Sequence, residues 1–597
     1  MINRSYRISR GRWRRRSGEE HSQRNHRTKP GEGPRLKILI KNGFVYDPAN
    51  KIEGDQMDIF IEGSKVVDSL HEPEWVLDAA GMVVMPGGVD IHAHIAGSKV
   101  NSGRAMRPED HEGHAYPRTS FTRSGTGRSI PTTLITGYLF SQMGYTTVIE
   151  AASPPLKSRH THEELDDTPM IDKAFLTLLG NNWIVAQLLR DGRMEEGSAF
   201  TAWVLNAVKG YGIKIVNPGG LIAWGWGKNV SSIDDHVPLF DITPREILVG
   251  LMMINRILGM PHTIHVHTNN LGRPGNYQTT IETIRAFDPY GSSSPSIHIT
   301  HCQFNSYAGD SWATIRSGAE EVAREVNSRE WLTIDIGQLA FTATTTMTAD
   351  GPFQYALYEL TGAKWLNADV ESETSAGIVP VIYRKKNLVN AVQWSIGLEL
   401  ALLVKDPWRV FMTTDHPNAA PLTYYPTVLA WLMSNEYREK TMSGKFNKRA
   451  KRRSLLPSID REYTLQEAAV ITRAATARAL NLTSKGHLGV GADADVAVYD
   501  MNPRETNFSK EHGMVRKAFR RAKYVVKGGD IVVINGEVVK EVYGRTLWVN
   551  SLTPQRKELA EQIVASEFEK HYSIRPSNYV VQEDYLKKPM EIRAGEF

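Results

Sequence analysis

Val83-Val84-Met85-Pro86-Gly87-Gly88-Val89-Asp90-Ile91-His92-Ala93-His94 decides how the rest of the chain is read. In a strand, alternate residues face opposite ways, so Asp90, His92 and His94 share one face while Val89, Ile91, Ala93 and Ile95 share the other. Two imidazoles two residues apart then converge on one point, and neutral imidazole nitrogen is the commonest side-chain ligand for zinc. The apolar face packs outward against helices. An isolated pair of this kind is usually incidental. Here it ends an apolar run after Pro86-Gly87-Gly88, and further ligand types recur at later strand ends, so we read a metal site.

The 597 residues, 41% of them hydrophobic, are enough for a large core and more than one domain. No apolar run is long enough to cross a bilayer, and the arginine-rich N-terminus lacks the apolar middle of a secretory signal, so the expected location is the cytoplasm. The single cysteine, Cys302, excludes an internal disulfide and cannot supply the thiolates of an iron–sulfur cluster. Any redox centre would have to belong to a partner. The net charge of +5 is misleading, because residues 1–37 hold twelve Lys/Arg against three Glu and leave the remainder net negative. Arg12-Trp13-Arg14-Arg15-Arg16 has the composition of an RNA contact, but nothing in residues 1–35 can bury a core. That stretch reads as a disordered tail or a start codon placed too far upstream, and nucleic acid is not an expected partner. The basic cluster Lys445 to Arg453 reads as a solvated face.

Around the opening stretch the chain falls into a few expected regions. Short β-like runs between Gly and Asn turns fill residues 36–82, and a matching series fills 486–550, so the two ends are expected to form one composite β-sandwich domain. Between them, over residues 83–485, β-like runs alternate with helical ones. This is the pattern of an α/β protein with a parallel sheet, and its length suits a (β/α)8 barrel with insertions, in which reactive groups sit at the C-terminal strand ends. Tyr463 to Leu480 is expected to be a terminal helix, opened by the Thr464-to-Glu467 capping-box spacing. Residues 551–597 are expected to be an extension beginning with an amphipathic helix.

The other ligands come one strand end at a time. Lys214 lies inside the apolar run Gly212-Ile213-Lys214-Ile215-Val216, where desolvation disfavours an ammonium. A neutral amine there can combine with carbon dioxide to give a lysine carbamate, an anionic bridge between two metals. Lys209 is the competing lysine, but Gly210-Tyr211-Gly212 follows it and marks a loop or helix end. In Ile264-His265-Val266-His267, His267 is nearest the strand end and His265 lies one pleat deeper. In Ile297-His298-Ile299-Thr300-His301, His301 ends the run and His298 reads as structural. Cys302 has no base set aside for it and is taken as a bystander. Phe411-Met412-Thr413-Thr414-Asp415 supplies the missing carboxylate ligand and proton carrier, and His416 is not expected to ligate.

An HxH at the first strand, a mid-chain lysine, single histidines on the next two strands and a late aspartate resemble the amidohydrolase superfamily. The turn Gly486-His487-Leu488-Gly489-Val490-Gly491-Ala492-Asp493-Ala494-Asp495 is similar to that superfamily's return into its sandwich domain. Longer segments are similar to the A-subunit family of formylmethanofuran dehydrogenase and of the bacterial formyltransferase/hydrolase complex. They include Ser98-Lys99-Val100-Asn101-Ser102-Gly103-Arg104-Ala105-Met106-Arg107-Pro108-Glu109-Asp110, Leu179-Gly180-Asn181-Asn182-Trp183, Ala223-Trp224-Gly225-Trp226-Gly227 and Ala430-Trp431-Leu432-Met433-Ser434. The likeness extends over roughly residues 38–550 and leaves the tail uncovered.

The resemblance implies two zinc ions: one held by His92, His94 and Asp415, the other by His267 and His301, with carboxylated Lys214 between them. It also implies reversible hydrolysis of an N-formyl carrier of the methanofuran type to formate and the free amine. Asp415 would act first as general base and then as general acid. The carrier is a long amine bearing acidic groups, so Arg104 and Arg107 are either contacts for its carboxylates or members of structural salt bridges. The implied partners are the other subunits of the complex. The segments lean toward the bacterial hydrolase type; the alternative is the dehydrogenase type, in which a molybdenum or tungsten subunit makes formate that this subunit condenses with the amine. Two further alternatives stand beside these: a dihydropyrimidinase-like or D-aminoacylase-like enzyme with the same metal residues, and a non-catalytic scaffold, against which all six filled ligand positions count.

Overall fold

The computed structural model describes residues 36–291, 295–370 and 374–595; the basic tail over residues 1–35 lies outside them. Eight parallel strands form the centre: β1 (Gly88–Ala93), β2 (Tyr145–Ser153), β3 (Asp172–Leu178), β4 (Gly212–Val216), β5 (Ile264–His267), β6 (Ile297–Ile299), β7 (Leu332–Asp335) and β8 (Val410–Phe411). Each pairs with the next in chain order. The circle closes where the chain beyond β8 meets β1, through a parallel bridge between Ala93 and His416 and a 2.6 Å bond from His94 N to His416 O. Every residue of the eight strands is buried. That is why they read as nearly unbroken apolar runs: a parallel sheet is covered on both faces. The expected α/β barrel is the fold observed.

Helices between the strands carry their own stop and start signals. Pro244–Leu258, for instance, opens with a capping box of Thr243 and Glu246 and ends at Gly259 in the left-handed conformation. The capping box at Thr464 and Glu467 also forms, and its helix continues through a π turn at Val470–Ala474 to Ala479.

The opening stretch is divided rather than continuous. Val83–Pro86 belongs to a nine-stranded, mainly antiparallel sheet, where it pairs with Phe44 and Val45 on one side and antiparallel with Val496–Tyr499 on the other. The chain crosses to the barrel at Gly87, whose N–H bonds to Asp495 O at 2.8 Å, while Gly88 N bonds to Gly144 O at 2.8 Å. Neither glycine has room for a side chain. A Cβ on Gly88 would stand 2.7 Å from the Tyr145 ring, and one on Gly87 would stand 2.7 Å from Thr146 Cγ2. Strands from Lys37–Asp78 and from Val496–Val538 complete that sheet.

One segment lies elsewhere than expected. Thr546–Asn550, read as part of the composite β region, instead runs parallel to β3 through Lys173 and to Pro589–Arg593, extending the barrel sheet to ten strands. The helix Pro554–His571 packs beside Met194–Val208, with Phe568 edge-on to Trp203. A three-stranded insertion, Ala343–Thr348, Leu366–Val370 and Thr374–Ile382, lies between β7 and β8. Among the described residues no helix is long and apolar enough to cross a membrane.

Candidate metal centre

The C-terminal ends of the barrel strands bring His92, His94, Lys214, His267, His301 and Asp415 to the wall of one cavity of about 20 Å³, room for a body the size of a water molecule. All six are buried.

A line of three imidazoles fixes the state of the first candidate ligand, His92. His262 Nδ1 lies 2.7 Å from Ala479 O, which can only accept, so this nitrogen carries the proton. His262 Nε2 is then an acceptor and takes a proton from His265 Nδ1 at 3.0 Å. His265 Nε2 in turn accepts from His92 Nδ1 at 2.9 Å. The protons are assigned by this network. It leaves His92 Nε2 with a bare lone pair that stands 3.0 Å from Asp415 Oδ1. Both atoms are buried and neither has a hydrogen-bond partner among the described residues, so two electron-rich atoms face each other with no proton between them. Such a pair repels unless a cation lies against both.

His94 repeats the arrangement. Its Nδ1 lies 3.0 Å from Glu150 Oε1, and its Nε2 lies 3.3 Å from the same Asp415 oxygen. Burial alone would raise Glu150, but the Lys99 ammonium, 3.2 Å away, and His94 hold its carboxyl down at about 2. Glu150 is therefore ionised and accepts from His94 Nδ1–H, leaving the Nε2 lone pair for the cavity. Its other oxygen accepts from Ile95 N and Ala96 N at 2.7 and 3.0 Å, locking the loop after β1.

On the opposite wall His267 Nε2 donates to Asp350 Oδ2 at 3.1 Å, so its lone pair is on Nδ1. His301, held at φ 37° with its N–H on Asp335 Oδ1 at 2.9 Å, presents a buried Nδ1 without a partner. Lys214 Nζ also has none. Burial lowers its pKa to about 7, against the pull of Asp335 and Asp415. Burial likewise pushes His92 and His301 well below the ordinary imidazole value, keeping them in the neutral form that ligates. Asp415, at φ 48°, is steadied by Asn418 Nδ2 on Oδ2 at 2.9 Å. Ligand atoms of His92, His301 and Asp415 lie within 4.8 Å of one another. Buried, neutral or anionic donors without hydrogen-bond partners fit a metal.

The competing residues go elsewhere. Lys209 lies over the Trp548 ring, 3.8 Å from its centroid, and 3.6 Å from Glu583. His298 bonds Thr333 and Asp335. His416 Nδ1 accepts from Leu422 N at 3.0 Å. Burial raises the Cys302 thiol far above its ordinary pKa, so it is no nucleophile. Arg104 bonds Pro131 O and Glu164, and Arg107 bonds Thr344 O and lies 3.8 Å from Asp110. Neither arginine lines the cavity. Of their two readings, the structure displays the salt bridges.

Glu150, Asp335, Asp350 and Lys99 are the functional neighbours that sequence reasoning passed over. Glu150 and Asp335 carried a signal, as acids inside apolar strand runs; Asp350 sits in the insertion and carried none.

The amidohydrolase family model matches residues 76–533. FwdA of Methanocaldococcus jannaschii is 52% identical over 560 residues, covering 92% of this chain and 97% of that protein. The A subunit of the formyltransferase/hydrolase complex of Methylorubrum extorquens is 37% identical over 520 residues, 85% and 90% of the two chains. A chain in the crystal structure of that organism's formyltransferase/hydrolase complex with methylofuran superposes at a TM-score of 0.85, with 33% identity, over 94% of this chain and all of that one. Barrel, site and relatives agree: the chain belongs to the amidohydrolase family, in the branch that contains FwdA and the A subunit of the formyltransferase/hydrolase complex.

Proposed function

We propose that the chain is the hydrolytic subunit of a formylmethanofuran-type complex, interconverting an N-formyl amine carrier and water with formate and the free amine. The observation that carries this reading is the set of four buried ligand atoms, His92 Nε2, Lys214 Nζ, His301 Nδ1 and Asp415 Oδ1, that converge from separate strand ends without hydrogen-bond partners. His92, His94 and Asp415 would hold one zinc and His267 and His301 the other, with Lys214, carboxylated by carbon dioxide, between them. A pair of such ions lowers the pKa of water toward about 7 and polarises a carbonyl.

The chain's own groups do the rest. Asp415 takes the proton of the attacking water and returns it to the amine nitrogen as the C–N bond breaks. Glu150 and the His262–His265 line hold the imidazoles of His94 and His92 in the ligating tautomer. A second cavity of about 540 Å³ shares Phe304 and Phe353 with the metal cavity and is the carrier's approach. Arg273 and Arg384 line it and make no ion pair among the described residues. They are placed to meet the carrier's acidic groups, the role that the sequence offers to Arg104 and Arg107.

The relative identities, 52% to FwdA and 37% to the bacterial A subunit, favour a complex of the archaeal kind over the bacterial type toward which the segments lean. In that setting the same site runs toward condensation. The test is purification with the native partner subunits, metal analysis, and measurement of formate release from N-formylmethanofuran and from small N-formyl amines. Two metals per chain with selective turnover of the carrier support the proposal. Well under two metals per chain points to the scaffold, and turnover of small amides alone points to an ordinary amidohydrolase.

A further inference from the structure

A third cavity, of about 820 Å³, shares no lining residue with the metal cavity. It lies where the loops after β7 and β8, carrying Phe341 and Tyr424, meet the helix His512–Arg520 of the region that follows the barrel. Five cations line it: Arg128, Lys385, Lys440, Arg516 and Arg520. Among the described residues no carboxylate does. None of the five makes a salt bridge among the described residues, although the charge of Glu436 reaches neighbouring His512. Arg516 and Arg520 stand one turn apart on the same helix, where like charges repel. Arg516 Nε is buried without a hydrogen-bond partner, and burial lowers the pKa of Lys385. Other exposed arginines of this molecule are paired, as Arg245 is with Asp234 and Arg521 with Glu537; here five cations share one cavity with no salt bridge among the described residues.

Its walls are flat rings. Tyr437 stacks on His512 at 4.2 Å and on Trp431 at 6.0 Å, and the Arg516 guanidinium lies 4.9 Å from the Tyr437 centroid. Lys385 Nζ lies 5.8 Å over Phe341. Those contacts cover Tyr437 and Phe341, and the rings of Tyr116 and Tyr424, which also line the cavity, are the ones placed to meet a planar group beside cations that neutralise its substituents. The volume lies in the range of small-molecule sites, roughly 300–1,000 Å³.

We propose that this cavity binds a small organic polyanion: several phosphate or carboxylate groups carried beside a planar ring. Its cations grip the anionic groups and its aromatic walls take the ring. The site is independent of hydrolysis and stands if the metal centre proves empty.

Calorimetric titration of the full-length protein at about 0.05 M salt tests it, where charges are least screened. The probes are benzene-1,3,5-tricarboxylate, citrate and inorganic tripolyphosphate. The expected result is competitive binding that weakens with added salt, with the aromatic tricarboxylate tighter than citrate. Preference for tripolyphosphate would identify a phosphate ligand, and preference for the tricarboxylate a carboxylate one. Arg516→Gln with Arg520→Gln should weaken binding by about tenfold or more, the loss of charge-assisted bonds. Lys440→Gln, at an exposed position, should weaken it less and serves as a second variant if the double one misfolds. No binding by any probe overturns the proposal, as does binding that these variants leave unchanged. It is also overturned if the native complex shields Arg516 from phenylglyoxal and the probes do not compete, because the cavity is then a protein interface.

Discussion

His265 Nε2 accepts from His92 Nδ1 at 2.9 Å, and through His262 the proton order runs back to the carbonyl of Ala479, on the closing helix of the barrel. A candidate metal ligand at the top of the barrel is thus oriented by a backbone oxygen at the bottom. Replacing His265 with Ala frees His92 to rotate and to take either tautomer. Metal affinity should fall by about 10- to 100-fold. Competition with a graded series of chelators measures this, and unchanged retention would show that the line of histidines is only packing.

Asp415→Asn should separate holding metal from using it. The amide still offers its one oxygen to the site, although its NH2 group cannot accept from Asn418 Nδ2 as the carboxylate does, and it cannot carry a proton. Turnover should drop by about 10²- to 10⁴-fold, the usual worth of a positioned acid–base group, while metal content stays near that of the parent. Parent-like turnover would remove Asp415 from proton transfer.

The candidate ligands that can be read from the sequence share one property: each polar group lies in or ends an apolar run, so burial without an obvious partner demands an explanation. Lys214 is the clearest case, because an amine in Ile213-Lys214-Ile215 has no bland reading. Asp335 escaped although it obeys the same rule, since one acid after Thr333-Ile334 reads equally well as a cap. Asp350 could not be read at all, because its place beside His267 depends on how a long insertion folds back over the barrel. Arg104 and Arg107 keep two readings in the sequence for the opposite reason: long side chains reach several partners, and the fold is needed to show that they bond Glu164 and Thr344 O. The division of the opening stretch at Gly87 is visible in Pro86-Gly87-Gly88 once two sheets are known to meet there.

The proposed carbamate on Lys214 should tie metal loading to pH. The lysine amine is neutral only above its pKa of about 7, and carbamate formation consumes the neutral amine and releases a proton. Reconstitution of metal-free protein with zinc should therefore respond to added bicarbonate at about pH 8 and much less at about pH 6. Lys214→Ala should hold fewer than two metals under either condition. Two metals retained in that variant would make the bridge unnecessary.

Gly88→Ala probes the crossing between the sheets. The new methyl would lie 2.7 Å from the Tyr145 ring and 3.1 Å from Tyr145 Cα, and the latter is backbone that cannot swing away. Urea denaturation should show a loss of about 1–3 kcal/mol, the usual cost of overpacking. Displacement of β1 should also reduce zinc retention, since His92 and His94 lie four and six residues on. Full stability would mean that β1 has more freedom than its register with β2 implies.

Glu399 offers a titration remote from the candidate metal centre. It lies buried in the helix Leu388–Leu403, where Leu456 N donates to Oε1 at 2.8 Å and Ser317 Oγ donates to Oε2. Burial outweighs these donors and raises its pKa from 4.5 to about 7. Between those values the folded protein keeps a proton that the unfolded chain has lost, so the stabilisation present below about pH 4.5 is lost as pH rises through about 7. For a shift of this size the full loss is on the order of 3 kcal/mol. Glu399→Gln, of similar shape but without charge, should lack this dependence. The difference in unfolding free energy, parent minus variant, should fall across that window and level off above it. A difference that rises with pH would instead mean that Ser317 and Leu456 stabilise the carboxylate.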